Sequence, residues 1–335
     1  MSRRAVLILV ILLAALGGGA LLYQQQERAR RPENAAALGR PLFKDLKAAE
    51  IASIRIAEPG ATLTLRRGES GWSITERAGF PADVAKVREF ALKLLELKVG
   101  QSEPLGEKDR ARLALDDSGV RVELAAADGK ALAVFIVGRK YFKREVDNPA
   151  KAPGDGRFVL LPADPKTVTT VADPLLLATS RSAEWIDRAS FKVEKVKSVD
   201  VRFPGGGAWR IERGGDNADW KLAGARAGEK LEVTKANAAS YSLSLLELAD
   251  VAPAGIANTG LDKPILVNAV SLDGRSYAIK VGRLEGDNYY VSFTAAKPTE
   301  RDALLARHVL LIPKSRLEDT LRPRAELLEK KPAKK

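Results

Sequence analysis

The chain has no cysteine and only one histidine, His308, among its 335 residues. These absences exclude cysteine-ligated zinc and iron–sulfur sites, thiol nucleophiles, c-type haem attachment and any histidine-rich metal cage. The protein has almost no side chains for chemistry that needs imidazole or thiolate, so we predict neither a metal nor a cofactor. Hydrophobic residues make up 45% and charged residues 29%, which is typical of a folded protein of about two domains.

The net charge of +12 is concentrated at the two ends of the chain. Residues 1–31 contain five arginines and one glutamate, and residues 314–335 contain eight basic and four acidic side chains, so each segment carries +4. The 282 residues between them also carry only +4, which is ordinary for a soluble domain. We therefore expect no binding to nucleic acid, which normally requires a basic patch on the folded domain.

Residues 5–23 form the one long hydrophobic run, nineteen residues without a charge. About twenty apolar residues cross the hydrocarbon core of a bilayer, so the run is a membrane span or a signal peptide. Arg3 and Arg4 form the basic region that both share, and Gly18 and Ala20 are small residues at which cleavage could occur. Because the run is longer than the core of a usual signal peptide, we favour an uncleaved anchor.

The compartment follows from this anchor. An N-terminal signal-anchor normally exports the chain after it, and a chain without cysteine is compatible with an oxidising compartment. The arginines on either side of the run do not decide its orientation. We predict a single-pass protein of the bacterial inner membrane, with its C-terminal modules in the periplasm or envelope. The anchor and its basic flanks take residues 1–31, and a stalk takes residues 32–50.

The remainder of the chain repeats one order of landmarks. Ile54-Arg55-Ile56 recurs as Val199-Asp200-Val201, with the alternation of a β-strand. A helical pattern runs from Pro81 to Gly100 and again from Thr234 to Asp250. Further matches are Trp72 with Trp220, Leu115-Asp116 with Leu261-Asp262, Asp128-Gly129 with Asp273-Gly274, Gly138-Arg139 with Gly282-Arg283, Tyr141-Phe142 with Tyr289-Tyr290, and Leu160-Leu161-Pro162 with Leu311-Ile312-Pro313.

The matches stand 144 to 151 residues apart, and so many ordered matches at nearly constant spacing indicate an internal repeat. Asp-Gly pairs between alternating runs predict β-hairpins. We therefore predict an α+β fold of two tandem repeated modules of mostly antiparallel strands, each with one main helix, after an N-terminal transmembrane helix. The modules take residues 51–190 and 191–320, and a basic tail takes residues 321–335.

The same landmarks, with the anchor and the junction Trp185-Ile186-Asp187-Arg188, resemble the domain of unknown function 4340 family. The resemblance covers residues 5–313. It implies a membrane-anchored, envelope-facing protein associated with ABC-type transport systems of the gliding-motility kind. Possible partners are therefore a transporter permease or ATPase, besides the membrane itself. The resemblance implies no active site that could be carried over to this chain.

Aromatic residues after the two Gly-Arg pairs are the candidates for an interface. They are Tyr141, Phe142 and Arg144 in the first module and Tyr289 and Tyr290 in the second. Aromatic side chains and arginine are enriched at protein interfaces. We predict a non-enzymatic accessory or binding subunit of a membrane assembly, such as an ABC-type transporter.

Two alternative functions remain open. A glycan- or peptide-binding module would use Trp72 and Trp220 as exposed platforms, although their place between strand and helix favours a role in the core. A hydrolase would need a carboxylate site, which would draw on Asp116, Asp117, Asp128 or Asp273; Asp before Gly is more typical of a tight turn. His308 is the one histidine that a Ser-His-Asp triad could use, but its place beside a run of apolar residues favours a structural or surface role. Asp147, Asp155 and Asp287 lie in loops and could hold a calcium ion, but they lack the spacing of an EF-hand.

Overall fold

A computed structural model describes residues 37–188 and 192–329. The predicted membrane anchor and residues 330–335 lie outside the described residues. Within the two described ranges, no helix combines the length and the apolar character needed to cross a bilayer. Contacts divide the described chain into two units. The first comprises residues 37–62 and 88–180, and the second comprises residues 63–87 and 181–329 without the gap at 189–191.

The described residues form short strands and few helices. The strands, in chain order, are β1 (Ser53–Glu58), β2 (Ala61–Gly68), β3 (Gly71–Ile74), β4 (Phe80–Pro81), β5 (Ser102–Pro104), β6 (Val120–Ala125), β7 (Ala131–Tyr141), β8 (Gly156–Leu160), β9 (Thr167–Val171), β10 (Val196–Arg202), β11 (Ala208–Glu212), β12 (Lys221–Leu222), β13 (Asp250–Val251), β14 (Ile265–Ser271), β15 (Ser276–Glu285), β16 (Asn288–Ala296) and β17 (Leu310–Pro313). The α-helices are α1 (Val84–Glu96), α2 (Glu107–Arg112), α3 (Val233–Ser242), α4 (Glu300–Leu305) and α5 (Lys314–Leu317).

Six strands of the first unit lie in the order β1-β6-β7-β8-β9-β5, and each neighbouring pair is antiparallel. The alternation seen in the sequence decides which side chains are buried, because successive residues of a strand point to opposite faces. Ile54, Ile56, Val122, Leu124 and Phe135 are buried in this way. A smaller apolar cluster is built on Leu113, Leu115, Leu160 and Val168.

The second unit contains a sheet in which six strands lie in the matching order β10-β14-β15-β16-β17-β13, again antiparallel throughout. Strands β11 and β12 continue this sheet beyond β10. Strands β2, β3 and β4 also pair antiparallel in chain order. The expected class, mostly antiparallel sheets with few helices, is therefore confirmed.

Helix α1 lies within the range 81–100 in which the sequence predicts a helix, but it is shorter at both ends: Pro81 belongs to β4, and the helix ends at Glu96. The carboxylate of Asp83 accepts hydrogen bonds from the backbone N–H groups of Ala85 (2.9 Å) and Lys86 (3.3 Å). These bonds satisfy donors that have no partner within the first turn of a helix. Val87 and Phe90 are among the residues that α1 buries.

The helix predicted from Thr234 to Asp250 is shorter in the structure. Helix α3 ends at Ser242, and Asp250 instead lies in β13. Serine hydroxyls compete with the backbone for hydrogen bonds, which disfavours a continuous helix. The bonds that they donate run from Ser240 to Asn237 O (2.9 Å), from Ser242 to Ala238 O (3.1 Å) and from Ser244 to Tyr241 O (2.7 Å).

Two of the sequence matches pair strands that are not equivalent. Tyr289 and Tyr290 lie in β16, which takes the place of β8 in the strand order, whereas Tyr141 ends β7. Leu160 ends β8, whereas Leu311 lies in β17, which takes the place of β9. Loop lengths explain the error. Fourteen residues join β7 to β8 where two join β15 to β16, and thirteen join β16 to β17 where six join β8 to β9. The first difference in loop length lengthens the first unit and the second lengthens the second unit, so the two nearly cancel. The offset between matched residues therefore stays nearly constant, although the matched strands are not equivalent.

The described part of the predicted stalk packs onto the first unit. Leu42 donates its backbone N–H to Leu97 O (2.7 Å), and the rings of Phe43 and Phe135 lie 5.1 Å apart. Residues 37–50 therefore belong to the folded body, because Phe43 packs against Phe135 and Leu46 is buried.

The described part of the predicted tail likewise packs onto the second unit. Leu327 is fully buried, and the indole Nε1 of Trp209 donates to Arg322 O (2.7 Å). Arg324 forms an ion pair with Glu229 (2.6 Å). The segment 321–329 is thus held by apolar and polar contacts alike, where the sequence predicted a basic tail.

Candidate functional site

An open groove of about 870 Å³ lies in the first unit beside the C-terminal end of β7. We call it the β7 groove. Residues 139–143 form one wall, and Leu38, Glu103, Leu105, Leu113 and Phe158 lie around it. The groove therefore combines apolar, aromatic and charged side chains, which is typical of binding sites.

A β-bulge sets the direction of this wall. The pairing of β7 with β8 shifts register between Val137 and Lys140, at the Gly138-Arg139 pair. The backbone N–H of Arg139 donates to Leu113 O (2.8 Å), and a Cβ atom on Gly138 would stand only 2.4 Å from that oxygen. Only glycine allows this approach. Bulges often redirect side chains next to functional sites.

The second unit has the same bulge. The pairing of β15 with β16 shifts register after Val281, at the Gly282-Arg283 pair. The backbone N–H of Arg283 donates to Thr259 O (2.7 Å), and a Cβ atom on Gly282 would stand 2.2 Å from that oxygen. The Gly-Arg pairs found in the sequence therefore have one structural cause, a close approach of the backbone to the preceding loop.

Tyr141, the last residue of β7, and Phe142, the first residue of the following loop, shape the groove. The Tyr141 ring packs edge-on against Phe158, with centroids 5.9 Å apart and planes at 61°. Gly156 lies opposite Tyr141, and a Cβ atom there would stand 2.4 Å from ring atom Cε1. This packing fixes the Tyr141 ring, while Phe142 next to it is half-buried and also lines the groove.

The basic side chains of the groove differ in whether they already have partners. Arg112 pairs with Asp109 (2.8 Å), and Lys140 Nζ donates to two carbonyls of the following loop at 2.6 and 3.2 Å. Within the part of the chain that the structure describes, the side chains of Arg139 and Lys143 have no hydrogen bond or ion pair. Both are exposed. Two cations are therefore available to a ligand.

The loop after β7 supplies part of this site. Residues 142–155 connect the paired residues Tyr141 and Gly156, and the Asp155 carboxylate accepts from the backbone N–H of Lys143 (2.7 Å). In the second unit the turn Gly286-Asp287 closes the equivalent hairpin. Connections as long as the first are uncommon in compact domains and usually are either functional loops or linker segments.

The predicted interface residues are distributed unequally. Tyr141 and Phe142 line the β7 groove, and Arg144 is exposed just beyond its lining. Tyr289 is half-buried in the second unit, and Tyr290 is only 5% exposed, with the Arg283 guanidinium 5.8 Å from its ring centre. Tyr290 is therefore a core residue in this structure.

The sequence did not single out Arg139, one of the two basic residues of the groove without a partner in the described chain; the other, Lys143, lies between the predicted residues Phe142 and Arg144. In the sequence the Gly-Arg pair was only a landmark of the repeat, and in the structure it lies within β7. One signal in the sequence could have pointed to this site. The charged segment 142–155 separates two strand patterns in the first half, and no such segment lies between Gly282-Arg283 and Tyr289 in the second.

The structure exposes neither tryptophan as a platform would require. Trp220 is buried, its indole Nε1 donates to Asn237 Oδ1 (2.9 Å), and the Arg213 guanidinium lies 4.8 Å from its ring centre. Its expected role in the core is confirmed. Trp72 is half-buried in β3.

The carboxylates of the two Asp-Gly pairs serve as turn residues, as expected. Asp128 accepts from Lys130 N (2.9 Å) and Asp273 from Arg275 N (3.1 Å). The pKa of Asp273 falls to about 2, chiefly because the Ser271 hydroxyl donates to it, with further bonds from Arg275. A general acid needs a raised pKa, so this carboxylate is shifted in the opposite direction.

The other titratable candidates also have local roles. Hydrogen bonds from Ser118 lower the pKa of Asp116. His308 packs edge-on against Phe80 at 5.1 Å, and burial lowers its pKa. Within residues 37–188 and 192–329, no three acidic or histidine side chains come close enough to hold a metal ion; Asp117, Asp147, Asp155 and Asp287 are among those residues.

Comparison with known proteins gives one family. The model of the family described as Domain of unknown function (DUF4340) matches residues 72–264, which is more than half of the chain. No curated protein and no solved structure matches the chain. The matched range contains all of the β7 groove except Leu38.

Proposed function

Since the chain belongs to the DUF4340 family, we propose that it is a membrane-anchored, envelope-facing binding subunit of a membrane assembly, such as an ABC-type transporter, and not an enzyme. The observation that carries this proposal is the β7 groove, in which Arg139 and Lys143 face solvent beside the aromatic wall of Tyr141 and Phe142. Aromatic and arginine side chains dominate binding energy at protein interfaces.

The proposal includes a tandem duplication, with modules at residues 51–190 and 191–320. The common order of six strands and the common Gly-Arg bulge support it. In this account the two modules diverged in the hairpin after the bulge. The second kept a turn at Gly286-Asp287, and the first acquired the loop 142–155 and with it a binding site.

The anchor would keep this site close to its partner. Leu38, which lines the β7 groove, follows the last residue of the predicted span, Tyr23, by fifteen residues. A fully extended chain covers at most about 3.3–3.6 Å per residue, so the groove would lie within roughly 50 Å of the bilayer. Confinement of this kind raises the effective concentration for a membrane partner and lets a weak interface suffice.

Affinity purification from cross-linked native membranes tests the proposal. The baits are the tagged full-length chain, a version with the anchor replaced by a cleavable export signal, and a full-length variant in which Gly-Asp replaces residues 142–155. We expect a permease, with or without its ATPase, to copurify with the first two baits and to be lost with the loop variant. Recovery with the full-length bait alone would place the contact in the membrane, and no specific recovery would refute a subunit role.

A further inference from the structure

We infer that the β7 groove binds an extended polypeptide segment in which an acidic side chain stands next to a large apolar one. The inference rests on the proposed function and concerns the same site, and it adds the chemical class of the ligand.

The charges of the groove argue for an acidic ligand. Arg112 is paired with Asp109, and Lys140 is engaged by loop carbonyls. Among the side chains that line the groove, this leaves Arg139 and Lys143 as the cations without a partner in the described residues, against one carboxylate without a partner, Glu103. A carboxylate on the ligand would pair with the guanidinium of Arg139, whose planar donors match its two oxygens.

The apolar side of the groove argues against a ligand that is only an anion. Leu105, Leu113, Phe142 and Phe158 line it together with Leu38, which is 58% exposed. Inorganic phosphate or a lipid headgroup could pair with the cations, but it would leave this apolar surface in water. A peptide with neighbouring acidic and apolar side chains satisfies both parts of the wall.

The size of the groove agrees with a short segment of chain. Its volume of about 870 Å³ is near the upper end of the roughly 300–1,000 Å³ of ligand sites. The groove is open, as a segment that enters and leaves it would require. Phe142 and Lys143 belong to the loop 142–155, so the hairpin turn Gly286-Asp287 supplies no equivalent residues to the second unit.

The test is a selection from a display library of random heptapeptides on the full-length protein in lipid nanodiscs. We expect the selected peptides to be enriched in Asp or Glu adjacent to Phe, Leu, Ile or Trp. A selected peptide should then bind at least about fivefold more weakly to the Arg139→Glu/Lys143→Glu variant in a fluorescence polarisation assay.

The matched control is Arg66→Glu/Lys130→Glu, which changes the net charge equally at two exposed residues outside the lining. It should bind as the parent does. Selected peptides without acidic residues, equal losses in both variants, or no enrichment would overturn the inference. Complete competition by inorganic phosphate or by anionic phosphatidylglycerol vesicles would also overturn it, since the groove would then be a simple anion or headgroup site.

The two proposals can fail separately. If membrane partners copurify in a loop-dependent way but the selected peptides lack acidic residues, the binding subunit stands and the ligand class is wrong. If acidic peptides are selected but no membrane partner copurifies, the ligand class stands and the membrane assembly is wrong.

Discussion

At the scale of single residues, two glycines hold the same place in the two units. Gly138 and Gly282 each stand too close to a carbonyl oxygen, of Leu113 and Thr259 respectively, to carry a side chain. We expect Gly138→Ala and Gly282→Ala each to lower the free energy of unfolding by about 1–3 kcal/mol, because the added methyl group forces the backbone to shift.

Denaturant unfolding of the full-length chain in detergent measures this loss. Gly205→Ala is the matched control, since nothing lies within 4 Å of a Cβ atom there and its φ is not positive. If Gly138→Ala or Gly282→Ala is as stable as the control, the close approach at that bulge is not present.

A turn carboxylate gives a second prediction at this scale. The pKa of Asp273 is lowered from 3.8 to about 2 in the folded chain by Ser271 and Arg275. A lowered pKa in the folded state contributes stability above the ordinary pKa, and that contribution is lost as the pH falls towards 2. The difference in melting temperature between the parent and Asp273→Asn should therefore shrink between pH 4 and pH 2. A difference in melting temperature that stays constant over that range would show that these hydrogen bonds do not stabilise the ionised carboxylate of Asp273.

Individual residues also show how far the sequence could lead. The Asp-Gly turns and the alternation of Ile54 and Ile56 are local patterns, and both predictions were correct. The availability of Arg139 depends on which distant groups engage its neighbours, and no local pattern carries that information. Tyr290 likewise looks like a surface aromatic in sequence, and its burial is decided by the strands around it.

At the scale of elements, the loop after β7 distinguishes the first unit from the second. Residues 142–155 span a hairpin that Gly286-Asp287 closes with a two-residue turn in the second unit. We expect the variant with Gly-Asp in place of 142–155 to fold. Shortening the loop should raise the free energy of unfolding by about 1–2 kcal/mol through loop-closure entropy, less the contacts that the loop makes.

Denaturant unfolding of the full-length variant, with a far-ultraviolet circular dichroism spectrum, checks this. A parent-like spectrum with equal or greater stability is the expected result. A collapse of the spectrum would show that the loop is part of the folding core and is not an addition to it.

The order of the elements along the chain could be predicted from the sequence, but which strands of the two units correspond to each other could not. Short strands and hairpins follow from periodicity, but β5 pairs with β9 across a separation of more than sixty residues. Such pairing leaves no local signature. The loops between corresponding strands differ in length, fourteen residues against two and six against thirteen. Because these differences compensate, the wrong matches were regularly spaced.

At the scale of the whole molecule, a short connection links the predicted anchor to the β7 groove. The anchor at residues 5–23 lies outside the described residues, and the groove lies in the first unit. The length of chain from Tyr23 to Leu38 links the two, because it limits how far the groove can stand from the bilayer. The central claim is that this groove contacts a membrane partner.

The measurement that tests this claim most directly is photo-cross-linking in native membranes from a photoreactive residue placed at position 142. The matched control places the same residue at position 241, because Tyr241 is 64% exposed and belongs to the second unit. The account predicts a membrane-protein adduct from position 142 that is weakened by Arg139→Glu/Lys143→Glu and is absent from position 241. The same adducts from both positions, or none from position 142, would contradict it.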